Sequence, residues 1–234
     1  HVFRHVDFLR EVHCCDNNNN ERYDSKRNEK NSRMLLNGTE TNVSVIGIAG
    51  VAGSGKDTFG RLVADVFEDS GGKVNFLSFA AKLKSEVSDI SKQLYGIDPV
   101  NCSRDEKNLI RPLLLAHGAI MREKTQGQYW IDGVKKLIKD DEMNIITDVR
   151  FCEYECDEVD WIHNNNGIVV HISRFFEENG ERIYISPDNE YEKRNDKKLK
   201  DKSNYSFSWP TDVSKQKIYL NKFLKWFVKN YLEQ

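Results

Sequence analysis

Five short apolar runs, each ending in a turn or a polar residue, divide residues 43–232 into strand and helix signals. "VSVIGIAG" (43–50), "VNFLSF" (74–79), "NIITDV" (144–149) and "GIVVHIS" (167–173) are β-branched and continuous, the pattern of strands buried on both faces. "YSFSW" (205–209) is a weaker fifth strand. Between them apolar residues recur at helical spacing. Phe59, Leu62, Val63, Val66 and Phe67 share one face of a helix over 56–69, closed by "SGGK". Helices are predicted over 81–95, 106–123 and 128–139, the last two separated at Gly127, and over 151–164. A final helix over 213–232 carries Leu220, Phe223, Leu224, Phe227 and Tyr231 on one side, with Asp212 as its N-cap. Strands separated by helix-length segments imply βαβ units, hence an α/β protein: a three-layer α/β/α sandwich around a parallel five-stranded sheet. Residues 174–203 read as a polar insertion.

Residues 1–42 lack this rhythm. "CCDNNNNERYDSKRNEKNSR" holds too little apolar matter to offset its ordering entropy, so disorder and no site are expected there. Residues 1–12 could make a short amphipathic helix with nothing evident to pack on, and Met34 is expected to be the native start.

The 35 basic and 37 acidic residues nearly cancel, giving a net charge of −2 and no field favouring nucleic acid or an anionic membrane. No apolar run approaches the ~18 residues of a spanning helix. The 5 cysteines are sparse and odd in number. Cys152 and Cys156 have no second pair at zinc-type spacing, so reduced thiols in the cytoplasm are expected.

The first strand runs into Gly50, Val51, Ala52, Gly53, Ser54, Gly55, Lys56, which fits G-x-x-x-x-G-K between a strand and a helix. Glycines let backbone N–H groups curl inward as an anion nest, and the helix that follows points its positive end at the same place. Lys56 can bridge the outer phosphates of a nucleotide. A tight turn that binds nothing is the alternative; strand, lysine and helix in register count against it. Asp57 stands where Ser or Thr is usual, and the hydroxyl comes one later, at Thr58. "NIITDVRF" is the second anchor: an apolar strand ending in Asp148, which suits magnesium, with Arg150 beyond the strand's C-terminal edge, where its fork suits a phosphate. An ordinary surface Asp–Arg pair is the plainer reading of those two.

"GVAGSGKDT", "FAAKLK" (79–84), "RPLLLAHGAIMRE" (111–123), "YWID" (129–132) and "DVRF" (148–151) occur in the order and spacing of viral and phage deoxynucleoside monophosphate kinases. "VVHISR", "DNEYEKRND" and "WPT" resemble that family's C-terminal half, so the resemblance spans about 43–232. It implies a P-loop fold and phosphoryl transfer from ATP, with Mg²⁺, to a deoxynucleoside 5′-monophosphate in the cytoplasm (of the host, if viral). Gly50, Gly53, Ser54, Gly55, Lys56, Asp57 and Thr58 would hold the donor phosphates, and Thr58 and Asp148 the metal. Lys56, Asp148, Arg150 and Arg174 would be catalytic. Lys82, Lys84, Arg122, Trp130 and Arg150 would meet the acceptor, Trp209 the adenine. Arg174, Arg182 and Arg194 are lid candidates. "KLK" could equally be a solvated helix face, and Trp130 a core aromatic. Nucleic-acid and membrane partners are not implied; a homodimer is compatible. The chain departs from the family at Leu115 and Ala119, where phage members carry Gln and Thr, and at His117 before the glycine, so the base preference is not carried over. Other P-loop kinases, acting on phosphomevalonate or dephospho-coenzyme A, combine similar elements. A non-catalytic nucleotide-binding switch is the reading from another class; a guanine-binding one would be expected to show N-K-x-D, which the chain lacks.

Overall fold

The structure, a computed structural model, describes residues 34–36 and 39–232. The expectation of a helix over residues 1–12 lies outside the described residues. At the end of the segment expected to be disordered, β1 (Met34–Leu36) pairs antiparallel with β2 (Thr39–Thr41).

The main sheet is built from β3 (Val45–Ala49), β4 (Val74–Ser78), β5 (Met143–Val149), β6 (Gly167–Glu178) and β8 (Tyr205–Pro210), all parallel, in the order β4-β5-β3-β6-β8. β3 lies at its centre, and all five of its residues are buried. One face packs on α1 (Lys56–Asp69) and α7 (Val213–Tyr231). There Ile46, Ile48, Ile145, Val170 and Ile172 meet Phe59, Val63, Phe67, Phe223 and Phe227. The other face takes Val45, Ile146, Val149 and Val169 against α4 (Gln128–Lys135), α5 (Glu158–Asn164) and α6 (Glu190–Lys202). Alternate residues of each strand thus feed two cores, which is why the strands read as unbroken apolar runs. A third, smaller core joins α2 (Phe79–Tyr95) to α3 (Arg104–Thr125) through Val87, Ile97, Ile110 and Leu114.

This is the three-layer α/β/α sandwich that the pattern implies, with three main differences beside a helix α4 that ends at Lys135 rather than 139. The sheet has a sixth strand. β6 runs past residue 173 to Glu178 and turns back as β7 (Glu181–Tyr184), so the expected polar insertion is a β-hairpin followed by α6. At Phe175, β6 pairs with β8 on one edge and β7 on the other, which sets β7 beyond the end of β3, above the phosphate loop. Second, the helix expected over 151–164 begins only at Glu158, because Asp157 caps it and its carboxylate holds the N–H groups of Glu153 and Tyr154 in a loop. Third, α3 starts at Arg104, where Ser103 and Glu106 form a reciprocal capping box. No helix among the described residues is long and apolar enough to cross a membrane.

Candidate active site

Residues 50–55 join β3 to α1 through three glycines with positive φ: Gly50 (138°), Gly53 (77°) and Gly55 (90°). At Gly55 the need for glycine is also steric, since a Cβ would stand 2.6 Å from the Trp209 ring. Gly55 is the N-cap of α1 and supplies no side-chain cap, so the helix presents its first N–H groups to the loop's concavity. Asp57 and Thr58 are exposed in that first turn, and Ser54 is buried with its hydroxyl unpartnered.

Lys56 is buried and bends back on the loop. Its ammonium donates to the carbonyls of Gly50 (2.9 Å) and Val51 (2.8 Å) and lies 3.8 Å from Asp148 Oδ1. Burial, with Arg150 nearby, lowers its pKa to about 8 against the partial compensation of Asp148 and Glu192. Asp148 stands near the end of β5 with φ 61°, a left-handed backbone uncommon outside glycine, at the point where the strand gives way to the site. Burial would push its carboxyl up, but Arg150, Lys56 and Lys84 outweigh that and hold it well below the usual carboxylate range. Its Oδ1 accepts from Arg150 at 3.0 Å and its Oδ2 from the Ser78 hydroxyl at 3.2 Å.

Arg150 also pairs with Glu192 of α6, and Glu192 in turn accepts from the phosphate-loop amide of Ala52 at 3.1 Å. The backbone N–H groups of Arg150 (2.7 Å) and Phe151 (3.1 Å) both donate to Glu158 Oε2. Glu158 is buried; that burial, reinforced by neighbouring Asp157, raises its pKa to about 8.

A cleft opens from this cluster towards α2 and α3. Ala52, Asp148 and Arg150 line it together with Lys84, Lys107 and Arg111 and with the apolar side chains of Leu83, Leu114, Leu115, Trp130 and Phe151. Lys107 has its pKa lowered by burial and by the neighbouring charge of Lys84. Arg111 is steered by Asp188 at 2.5 Å and by Asn108 at 3.0 Å.

The structure brings Lys84, Trp130, Asp148 and Arg150 to this cleft and keeps Arg174 near the loop, donating to the carbonyls of Gly53 (3.3 Å) and Thr211 (3.4 Å). Trp130 is at once lining and core, with its indole N–H on the Gly118 carbonyl at 3.3 Å. Four expectations are corrected. Lys82 faces away from the cleft, its ammonium 3.4 Å above the Tyr129 ring and 3.8 Å from Glu86, because it sits on a different face of α2 from Lys84. Arg122 reaches the cleft wall, but both its terminal nitrogens are spent on buried Asp157 and its guanidinium lies 3.8 Å over the Phe151 ring. It is a fastening for the 151–157 loop. Trp209 is 0% exposed and cannot meet adenine; its indole N–H donates to the Ser54 carbonyl at 2.8 Å, propping the loop from beneath. Of the lid arginines, Arg182 stacks 4.5 Å over Phe175 within the hairpin, and Arg194 pairs with Glu153 at 2.9 Å.

Sequence reasoning missed Lys107, Arg111, Glu158 and Glu192. The first pair carried a signal, two cations four residues apart on a helix whose next turn holds Leu114 and Leu115. Glu192 carried none, being one acid among many in a polar segment.

Compared with known proteins, the chain matches no family model and no curated protein. Among solved structures it is similar to a dephospho-CoA kinase from Campylobacter jejuni, with 13% identity over 80% of this chain and 98% of that one at a TM-score of 0.40. It is also similar to a shikimate kinase from Acinetobacter baumannii in complex with shikimate, with 12% identity over 80% of this chain and 94% of the other at a TM-score of 0.37.

Proposed function

We propose that the chain is a phosphotransferase that moves the terminal phosphoryl group of ATP to the phosphate of a deoxynucleoside 5′-monophosphate. The observation that carries this reading is the cleft: a phosphate-loop residue, Ala52, shares it with Asp148, Arg150, four further cations (Arg122 among them, though paired with Asp157) and an apolar surface. The cations suit a phosphate monoester, and the apolar surface they share the cleft with suits a flat base. The motifs "FAAKLK", "YWID" and "DVRF", which line or flank this cleft, are those through which the sequence resembles deoxynucleoside monophosphate kinases.

Phosphoryl transfer asks the protein mainly to align two phosphates and to neutralise charge on the moving group. Here the amides of Gly53 and Gly55 and the first turn of α1 bind the donor oxygens, while the Ala52 amide faces Arg150 through Glu192. Lys56, tethered to two loop carbonyls, is within reach of them, and Arg174 approaches from β6. Arg150, beyond the end of β5, faces the other side and orients the acceptor phosphate. Asp148, held anionic, and the exposed hydroxyl of Thr58 suit a hard, oxygen-seeking cation. Among the described residues no group of three or more His, Cys, Asp or Glu could hold a metal ion, so Mg²⁺ would rest on few protein oxygens and on the phosphates themselves. That ion would screen the charge of the donor phosphates.

The test is ADP release measured with ATP across the deoxynucleoside monophosphates, with phosphomevalonate and dephospho-coenzyme A as rival acceptors. Turnover is expected with at least one deoxynucleotide. Lys56→Ala is expected to abolish it with the fold intact, and Arg150→Ala to raise KM for the acceptor more than for ATP. Turnover with a rival and with no deoxynucleotide rejects the proposal.

A further inference from the structure

Glu192 lies in the first turn of α6, only 8% exposed, and its carboxylate bridges two parts of the site that are far apart in sequence. Oε2 accepts from the Ala52 amide at 3.1 Å across 140 residues, and Oε1 pairs with Arg150 across 42. A further bond to Oε2 from the Asp188 N–H, at 3.2 Å, is local and belongs to the start of α6, which Asn189 caps. Both terminal nitrogens of Arg150 are therefore engaged by carboxylates, one by Asp148 and one by Glu192. A loop amide and a guanidinium facing one acceptor make a seat for an oxyanion, and here a side chain of the protein sits in it.

We infer that the space between the Ala52 amide and the Arg150 guanidinium is the seat of the acceptor's phosphate monoester, and that Glu192 fills it until that phosphate displaces it. The identity of the displacing group rests on the phosphotransferase reading; the seat itself rests on its donors. A phosphate dianion uses the same donors as a carboxylate and brings more charge, so it wins the exchange near Lys84, Lys107 and Arg111. The exchange frees the first turn of α6. Because the empty site is occupied from within, Glu192 holds down the apparent affinity for anions.

Removing this competitor should therefore tighten binding, whereas removing a mere strut should weaken it. Calorimetric titration of Glu192→Gln with inorganic phosphate is expected to show affinity ~10-fold above wild type, the gain for a seat that Glu192 fills about nine-tenths of the time. Glu192→Asp, which keeps the charge, is expected to show no gain, and the gain is expected to vanish in an Arg150→Ala background. Unchanged or weaker phosphate binding by Glu192→Gln overturns the inference, as does an equal gain without Arg150. If Glu192→Gln does not fold, wild-type hydrogen exchange decides: amides of residues 188–195 should exchange faster with phosphate bound, and unchanged or slower exchange overturns the inference. Tighter phosphate binding without turnover of any deoxynucleotide would remove the substrate assignment and leave the seat. Turnover without tighter binding would do the reverse.

Discussion

The Lys56 ammonium is hydrogen-bonded to two carbonyls and yet driven towards neutrality by burial. Lys56 keeps its charge below its pKa of about 8 and loses it above, so the empty phosphate loop grows less attractive to anions as the solution turns alkaline. For the free enzyme, kcat/KM for ATP is therefore expected to fall from about pH 8 upward, approaching ~10-fold per pH unit, while bound phosphates, which raise the lysine's pKa, carry the fall in kcat to higher pH. A pH–rate profile checks this; a level kcat/KM through alkaline pH would contradict the assignment. Glu158 behaves in the opposite sense. Its pKa is raised from 4.5 to about 8 by burial and Asp157, so the folded chain holds this proton more firmly than the unfolded one across that window. Stability from this group is complete below the unfolded value and is lost as pH rises through 8. Glu158→Gln keeps an oxygen for the Arg150 and Phe151 amides and removes the titration. Its unfolding free energy, read from denaturant melts at each pH, is expected to overtake that of wild type between pH 5 and 8, by ~1–3 kcal/mol at the upper end.

At the scale of elements, the phosphate loop is shaped from below as much as by its own glycines. Trp209 on β8 holds the Ser54 carbonyl and fills the space under Gly55, with Phe59 and Phe207 at its edges. Trp209→Ala is expected to cost ~3–5 kcal/mol as a large buried side chain. Trp209→Phe is expected to cost ~1–2 kcal/mol and to weaken ATP and GTP equally, since the ring touches no base. Melting curves with donor titrations distinguish this from an adenine contact, which would spare stability and penalise ATP alone. β3, β5 and the first half of β6 were legible because burial on both faces leaves no polar residue to blur them. The extension of β6 was not, because "RFFEE" follows the apolar run with charges, and only its pairing with β7 makes it strand. Lys84 and Lys82 look alike in "KLK"; only the register of α2 turns one to the cleft and the other to Tyr129. Arg122 was misread because its partner, Asp157, lies 35 residues away in a loop that the pattern reads as helix. Long-range charge pairing leaves no periodic trace.

For the molecule as a whole, the two large cores grip the sheet, while α2 and α3 meet mainly through their own small cluster of Val87, Ile97, Ile110 and Leu114. The candidate cleft is therefore walled on one side by two helices whose mutual packing rests on a small core of their own, with Phe79, Leu83 and Met121 tying them to the larger one. Hydrogen exchange is expected to show α3 opening at a lower free energy than β3 or β5, with a deoxynucleotide slowing α3 selectively. Uniform protection across α3 and the sheet would count against that division. The water-free indole beneath the loop has one more consequence. Trp209 is fully buried and bonded to a carbonyl of the turn proposed to hold the donor phosphates, so on that reading the protein carries its own optical gauge of donor occupancy. With Trp130, Trp161 and Trp226 replaced by phenylalanine, the remaining emission would report filling of the loop without any attached dye.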